Sequence, residues 1–201
     1  MVSRSSDRVP GRPSDEDVRA IVTRIVDGVM ARPSAPVTAE TSTGSGHDRG
    51  GDVIAIGADH GGFPLKEKLA FRLRERGDTV IDCGTDSSQS VDYPDFAHAV
   101  ASMVATGKAR WGIIVDGAGI GSAMVANKVP GVRAALCYDL SSARNSRQHN
   151  HANVLTLGAG LIGANLAWQI VEEWLATEWG GDRHARRVDK ITEIERRYSK
   201  S

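Results

Sequence analysis

From Val53 onward, short apolar segments alternate with longer amphipathic ones, and this alternation limits the folds that the chain can adopt. The apolar segments, which read as β-strands, are DVIAIG, TVIDCG, WGIIVDG, VRAALCYD and NVLTLG. The segments that read as helices are PLKEKLAFRLRERG, YPDFAHAVASMVATGKA, GSAMVANKV, LSSARNSRQHN, ANLAWQIVEEWLAT and a charged C-terminal stretch around ARRVDKITEIERRYSK. Such alternation predicts an α/β fold, in which a five-stranded parallel sheet lies between two layers of helices.

Polar residues follow three of the predicted strands at their carboxyl ends. They are Asp59 and His60 after the first strand, Asp92 and Tyr93 after the second, and residues 116–121 after the third. In open parallel sheets, ligands bind at the edge formed by the carboxyl ends of the strands. The sequence therefore predicts a binding site at this edge.

The third strand runs into a turn, DGAGIGS, that is rich in glycine. Gly117, Gly119 and Gly121 allow a ligand to approach the backbone, and the start of the next helix offers unpaired N–H groups to an anion. Glycine turns of this kind also serve only to pack a strand against a helix, so the motif by itself leaves both roles open. It has neither the spacing of the dinucleotide fingerprint nor the lysine of a P-loop.

The balance of charge excludes several classes of function. The 201 residues carry 25 basic and 25 acidic side chains, without the clustered basic excess that nucleic-acid binding requires. No apolar run approaches the roughly 20 residues of a membrane span, and the N-terminus lacks the apolar core of a secretion signal, so we expect a cytoplasmic protein. Cys83 and Cys137 have no metal-like spacing and are predicted to be buried thiols.

Residues 1–51 differ in composition from the domain predicted at 52–201. This N-terminal extension is rich in Ser, Pro, Gly and Thr at both ends, which is typical of disordered segments. Between about residues 15 and 31, apolar residues recur at steps of three and four and predict an amphipathic helix, with a linker at 32–51. Because so short a helix is marginal alone in water, we expect it to lie on a surface.

Five motifs occur in the order and spacing of a known family: GADHGGFPLKEKL, DYPDFA, GAGIGSAMVANKVPGVRAAL, SRQHNHANVLTLGAG and GGDRHARRV. Through them, residues 52 to 199 resemble the type B ribose-5-phosphate isomerases, a family that includes subunits of galactose-6-phosphate isomerase. The resemblance implies a Rossmann-like fold and an aldose–ketose isomerase that needs no metal or organic cofactor. It also implies a homodimer or homotetramer whose sites are shared between neighbouring subunits.

The same resemblance implies roles for residues that follow the first three strands. Asp59 and His60 match a pair that handles the hydroxyls and the phosphate end of the sugar, and Tyr93 matches a tyrosine that lines the sugar. Residues 117–121, which we call the glycine loop, match the family loop whose backbone N–H groups stabilise the enediolate. Its substrate-binding members are Gly117, Ala118, Gly119 and Gly121.

A second set of implied roles lies further along the chain. His149 matches a histidine that opens the sugar ring, and Asn150 matches an asparagine that holds an oxygen. Arg183 and Arg187, four residues apart, match arginines that clamp the phosphate, although such a pair is more often a solvated stripe on a helix. The other basic residues nearby are interpreted as surface or interface residues: Arg147, His184 and Arg186.

The chain departs from the family pattern where the proton is moved. Asp116 stands where most of the family has a cysteine that removes the proton, and Ala118 stands where it has a threonine. Some relatives use a glutamate at the position of Ser122, which is also absent here. Asp116 is therefore the nearest candidate base, and carboxylates drive the same enediol chemistry in triosephosphate isomerase.

Two functions of different class follow from this reading. The first is an aldose–ketose isomerase in which Asp116 moves a proton between C1 and C2 and His149 assists ring opening. Its candidate substrates are ribose 5-phosphate and ribulose 5-phosphate, or a four-carbon pair such as erythrose 4-phosphate and erythrulose 4-phosphate. The alternative is a sugar-phosphate-binding protein that has lost the chemistry, with Asp116 accepting a hydrogen bond from a hydroxyl.

The N-terminal extension resembles the encapsulation peptides that bring enzymes into bacterial microcompartments. Docking through the apolar face of the helix at 15–31 would make a shell protein its partner. The residues of that face are Val18, Ile21, Val22, Ile25 and Val29. An arm that packs on its own oligomer and a poorly ordered tail are the alternatives.

Overall fold

A computed structural model describes residues 51–199, which form a five-stranded parallel sheet with helices on both faces. The strands are β1 (Val53–Ala58), β2 (Thr79–Asp82), β3 (Trp111–Asp116), β4 (Ala134–Leu136) and β5 (Val154–Gly158). The helices are α1 (Phe63–Glu75), α2 (Tyr93–Ala105), α3 (Ile120–Ala126), α4 (Leu140–Asn150), α5 (Ala164–Ala176) and α6 (Asp182–Tyr198). The strand order is β2-β1-β3-β5-β4, and every neighbouring pair is parallel. The predicted sheet and its two helical layers are thus confirmed.

The core lies on both faces of the three central strands, β1, β3 and β5. These strands are almost entirely buried, which explains why they read as unbroken apolar runs rather than as alternating ones. On one face α1 contributes Leu65, Leu69 and Leu73 at steps of four, which is one side of a helix. Trp174 of α5 packs edge-on against Trp111 in the same layer. On the other face α2 covers β1 and β3, and α3 packs against it.

The ends of α2 and β4 differ from the sequence-based prediction, whereas the ends of α4 agree with it. Helix α2 ends at Ala105, before the predicted stop, because Gly107 takes a left-handed φ of 72° and reverses the chain. Strand β4 is shorter than the predicted segment VRAALCYD, and it pairs only with β5. Helix α4 matches LSSARNSRQHN; Asp139 caps its start, and His151 with a φ of 52° ends it.

The outer edge of β4 is covered by a side chain. Asn127, which follows α3, accepts a hydrogen bond from the Ala134 N–H and donates one to the Ala134 carbonyl, both at 2.9 Å. These are the two groups that an additional strand would use, so Asn127 blocks pairing at this position.

Both cysteines are buried, as the sequence predicts. Burial and the neighbouring Asp82 carboxylate raise the pKa of the Cys83 thiol to about 12. Burial likewise raises the pKa of Cys137. Neither thiol is therefore ionised at neutral pH, and neither can serve as a thiolate base. Within residues 51–199, no helix is both long and apolar enough to cross a membrane.

Candidate functional site

Asp59 and His60 follow β1 and fix the backbone at the carboxyl edge of the sheet. Asp59 is 9% exposed, and its Oδ1 accepts a hydrogen bond from the Gly62 N–H at 2.9 Å, at the start of α1. The Nδ1 atom of His60 lies 3.2 Å from both the nitrogen and the carbonyl oxygen of Val91. His60 therefore links the end of β1 to the segment that leads into α2, which carries Tyr93.

Asp116 lies at the end of β3 with its carboxylate turned back into the chain. The side chain is 5% exposed. Its Oδ1 accepts hydrogen bonds from the N–H groups of Ala118, at 2.8 Å, and Gly119. Its Oδ2 accepts bonds from the N–H of Ser122, at 3.1 Å, and from the Ser122 hydroxyl. The carboxylate thus orders the glycine loop and the first turn of α3.

The glycines of the loop are required by close contacts. Gly119 has a φ of 76°, and a Cβ atom there would lie 2.5 Å from a methyl carbon of Leu136. At Gly121 a Cβ atom would lie 2.5 Å from Cζ of Tyr93, so the tyrosine ring packs directly on the loop. The loop is therefore shaped by its neighbours, and a larger residue at either position would displace it.

Two residues that the sequence analysis did not single out also hold the loop. The Tyr138 hydroxyl donates a hydrogen bond to the Ala118 carbonyl at 2.7 Å. The Thr156 hydroxyl donates to the Gly119 carbonyl at 2.9 Å. No local motif marks either residue, because each reaches the loop from a strand or strand end that is distant in sequence.

The remaining N–H groups of the loop are available to a ligand. Asp116 takes the N–H groups of Ala118 and Gly119, whereas those of Gly117 and Gly121 have no acceptor within residues 51–199. We call Asp59, His60, Tyr93, Asp116 and the glycine loop the carboxyl-edge group. Together they offer hydroxyl, imidazole, carboxylate and main-chain donor functions at one edge of the sheet.

A second set of predicted site residues lies around the end of α4. We call it the amino-edge group, and its members are His149, Asn150, Arg183 and Arg187. The imidazole of His149 stacks on that of His184 with centroids 4.2 Å apart, and the Asn145 amide nitrogen lies 2.9 Å from His149 Nδ1. The Asn150 amide donates weakly to Asn145. Arg183 and Arg187 are both exposed on α6. The Nε of Arg183 donates to His184 Nε2 at 3.2 Å, so one of the two exposed arginines is held beside the His149–His184 stack.

Two basic residues interpreted as surface or interface residues are buried within the single chain. His184 is 7% exposed because its ring is covered by His149. Arg147 is 4% exposed because its guanidinium carbon lies 4.0 Å from the centroid of the Trp111 ring. Their charge suggested exposure, but an aromatic neighbour that is distant in sequence covers each of them.

The two groups lie at opposite edges of the sheet in one chain. Helix α4 begins after the carboxyl end of β4 and ends before the amino end of β5, so it runs against the strands. With 11 residues it is about 16 Å long. His149 and Asn150 therefore lie near the amino ends of the strands, whereas Asp116 lies at a carboxyl end. A single chain brings together the members of each group, but not the two groups.

The described part of the chain contains no cluster of side chains that could bind a metal ion. Among residues 51–199, no three His, Cys, Asp or Glu side chains are grouped so that they could hold an ion. The arrangement at either edge is instead one of hydrogen-bond donors and acceptors. It suits a polyhydroxylated anion bound through direct contacts.

Comparison with known proteins identifies relatives over the same residues. The model of the Ribose/Galactose Isomerase family matches residues 54–191. The chain is 48% identical over 144 residues to ribose-5-phosphate isomerase B of Escherichia coli strain K12. This alignment covers 72% of this chain and 97% of that protein. It is also 43% identical over 139 residues to D-erythrulose-4-phosphate isomerase of Pectobacterium atrosepticum. That alignment covers 69% of this chain and 91% of that protein.

A solved structure agrees with these sequence matches. Ribose-5-phosphate isomerase B of Clostridium thermocellum superposes with a TM-score of 0.72 at 51% sequence identity, covering 73% of this chain and 99% of that one. The five parallel strands and their helices are thus the Rossmann-like fold of these relatives. The chain belongs to the ribose/galactose isomerase family, and it is an isomerase.

Proposed function

We propose that the protein interconverts an aldose phosphate and a ketose phosphate of four or five carbons through an enediolate. The observation that carries this proposal is the carboxyl-edge group, where an acid and unpaired loop N–H groups occur together. Two relatives support the range of substrates, since one is named for ribose 5-phosphate and the other for D-erythrulose 4-phosphate. Both are small phosphorylated sugars.

In the proposed reaction, Asp116 removes the proton from C2 of the open-chain aldose. The C–H electrons form the C1–C2 double bond, and the carbonyl electrons move onto O1, where the N–H groups of Gly117 and Gly121 would stabilise the charge. The hydroxyl proton then passes from O2 to O1, and Asp116 returns its proton to C1 to give the ketose. The reaction consumes no oxidant or reductant.

The hydrogen bonds of Asp116 set a condition on this role. Both oxygens of its carboxylate already accept bonds from residues 118–122. The Ser122 hydroxyl is the one donor that can rotate away without moving the backbone, and its rotation would free a lone pair of Oδ2. We therefore propose that Oδ2 is the oxygen that takes the proton.

For the remaining members, the proposal keeps the roles that family resemblance implies. Asp59, His60 and Tyr93 bind the hydroxyls, and His149 assists ring opening when the substrate is cyclic. The other substrate-binding residues are Asn150, Arg183 and Arg187. Arg183 and Arg187 present two planar donor forks that fit a phosphate dianion.

Because a single chain separates the two groups, we propose that each active site forms between two copies of the chain, in a homodimer or a dimer of dimers. The carboxyl-edge group of one copy would face the amino-edge group of the other. The exposed apolar side chains on α6 support an interface near the amino-edge group, because such residues are normally covered in an oligomer. They are Ile191, Ile194 and Tyr198.

The substitution Asp116→Asn tests the base. We expect kcat on the best substrate of a panel of four- to six-carbon sugar phosphates to fall about a hundredfold or more, with little change in KM. Ser122→Ala is the matched control: it removes one donor to Oδ2 but keeps the carboxylate, and its kcat should stay within a few-fold of wild type. The melting temperature of each variant shows whether the glycine loop is still folded, so that a loss of catalysis can be told apart from a loss of structure.

Two outcomes would contradict this part of the proposal. Full turnover by Asp116→Asn would remove Asp116 as the base. Binding of sugar phosphates by the wild-type chain without turnover of any of them would favour the sugar-phosphate-binding alternative instead.

We further propose that the N-terminal extension directs the enzyme to a microcompartment shell. The predicted helix at 15–31 lies outside the described residues, so this proposal rests on the sequence pattern alone. Fusion of residues 1–50 to a fluorescent protein should give puncta in cells that make shells, and Ile21→Glu should make the signal diffuse while Arg24→Glu, off the apolar face, should not. A diffuse signal from the unaltered fusion would reject targeting.

A further inference from the structure

A cavity of about 710 Å³ opens at the amino edge of the sheet. We call it the arginine cavity. It lies among the start of β1, the start of β3, the end of α4 and the segment that follows α5. Its lining includes Asp52, Arg110, Trp111, Arg147, His151 and Trp179. None of the residues proposed to bind or convert the sugar lines it, so the sugar chemistry does not account for it.

Arg147 is a buried cation without a carboxylate partner in the described part of the chain. Its guanidinium carbon lies 4.0 Å from the Trp111 centroid and 5.2 Å from the Trp174 centroid. Its Nη1 donates to the Ala152 carbonyl at 2.5 Å, but its buried Nε has no acceptor within residues 51–199. Buried charges are normally paired, because losing water without a partner is costly.

The charged groups that act on Arg147 are two further cations, Arg110 and Arg133, and one acid, Asp52. Burial, together with the guanidinium groups of Arg110 and Arg133, lowers the pKa of Arg147 to about 10, which still leaves it charged at neutral pH. Burial, Arg133 and Arg147 lower the pKa of His151, so this imidazole is neutral there. The positive charge of Arg147 is thus not relieved by deprotonation, and a bound anion would relieve it.

A second unused donor lines the same cavity. The indole ring of Trp179 stacks on His151 with centroids 4.1 Å apart and planes 4° apart, so its position is fixed. Its Nε1–H is buried and has no acceptor among the described residues. Two buried donors without acceptors, in residues that line the same cavity, are unusual, since buried polar groups are nearly always hydrogen-bonded.

The acids of the cavity already have other partners. Asp52 accepts hydrogen bonds from Arg110 Nη1 at 2.7 Å and from Trp111 Nε1 at 3.0 Å. Asp78 accepts from Arg76 Nε at 2.7 Å and from the Asp52 N–H at 3.1 Å. Glu178 is exposed. Because Asp52 and Asp78 already accept bonds from these donors, neither carboxylate is free to pair with Arg147.

We propose that the arginine cavity binds a small oxyanion, the phosphate or carboxylate group of a metabolite, through the Nε of Arg147 and the Nε1 of Trp179. The ligand supplies the acceptor that both donors lack and the negative charge that Arg147 lacks. This is a second anion site, separate from the phosphate clamp proposed for Arg183 and Arg187.

The test uses the full chain in an Arg183→Gln, Arg187→Gln background, which removes the proposed sugar-phosphate clamp through two exposed residues. Calorimetric titration with inorganic phosphate at constant ionic strength is expected to show saturable binding below about 10 mM. Adding Trp179→Phe keeps an aromatic ring at this position but removes the indole N–H. The dissociation constant for phosphate should then rise about tenfold. Trp168→Phe is the matched control, because Trp168 lies beside Arg72 and does not line the cavity.

Acetate titrations in the same background distinguish the two sources of the oxyanion. Tighter binding of phosphate than of acetate would assign the site to a phosphate group, and the reverse order to a carboxylate. Absence of saturable binding of either anion would overturn the proposal, as would equal affinity in the Trp179→Phe and Trp168→Phe proteins. Because the clamp is already removed, neither result depends on the proposed isomerase activity.

Discussion

Lys66 is a charged residue in the core whose role cannot be read from its place in the sequence. It lies on the buried side of α1 and is 2% exposed. Its Nζ donates to Asp82 Oδ2 at 2.7 Å and to the Thr85 carbonyl at 2.9 Å, and Glu67 lies at 3.0 Å. Through these bonds Lys66 ties the end of β2 to α1, beside the carboxyl edge where the sugar is proposed to bind.

We expect Lys66→Met to lower the free energy of unfolding by about 2–3 kcal/mol, because Asp82 and the Thr85 carbonyl lose a charged donor that packing has enclosed. Lys68→Met on the exposed side of the same helix is the matched control and should cost about 0.5 kcal/mol or less. Urea denaturation at pH 7 measures both. Equal stability of the two variants would mean that the buried ammonium contributes no net stability.

Asp116 illustrates what sequence can and cannot predict for a single residue. Its place after an apolar strand and before three spaced glycines predicts that it lies at the carboxyl edge. The direction of its carboxylate is not predictable in the same way, because the N–H groups of Ala118 and Gly119 and the hydroxyl of Ser122 compete with a ligand for its oxygens. Only the folded loop decides which acceptor positions are filled.

Among the elements, helix α4 and the strands at the centre of the sheet are predicted best. The sequence places α4 at the residues where the structure has it, and it identifies all five strands in the described region. It overestimates β4, because Val132 and Cys137 are buried although they lie outside the strand, which spans Ala134–Leu136. Burial and pairing are separate properties, and an apolar pattern reports only the first.

Contacts between elements are the part of the site that a local pattern does not contain. Tyr138 follows β4 and Thr156 lies in β5. The hydroxyl of each donates a hydrogen bond to a carbonyl of the glycine loop. His184 is held by His149 across the gap between α4 and α6. These partners depend on strand order, which places β5 between β3 and β4.

For the whole molecule, the placement of the two groups at opposite edges has a consequence for mixed oligomers. If each site takes Asp116 from one copy and His149 from another, a heterodimer of Asp116→Asn and His149→Gln chains has one intact site and one doubly altered site. Heterodimers purified through two affinity tags should then have about half of wild-type activity on a cyclic substrate, although each variant alone is nearly inactive on it.

The control for this mixture pairs two variants of the same edge group. His149→Gln with Arg183→Gln should give no rescue, since every site in the heterodimer would lack one of the two side chains. Turnover of the purified, doubly tagged protein measures both cases. A mixture of Asp116→Asn and His149→Gln that is no more active than its parents would show that the site is not divided between copies in this way.

The Asn127 side chain at the outer edge of β4 has a further bearing on how copies can meet. It occupies the hydrogen-bonding positions of Ala134 that a neighbouring chain would need. A hydrogen-bonded ribbon that continues from one protomer into the next is therefore disfavoured along this border. Any quaternary arrangement on this side should be built from helical surfaces, which limits uncontrolled polymerisation while leaving closed assemblies open to the enzyme.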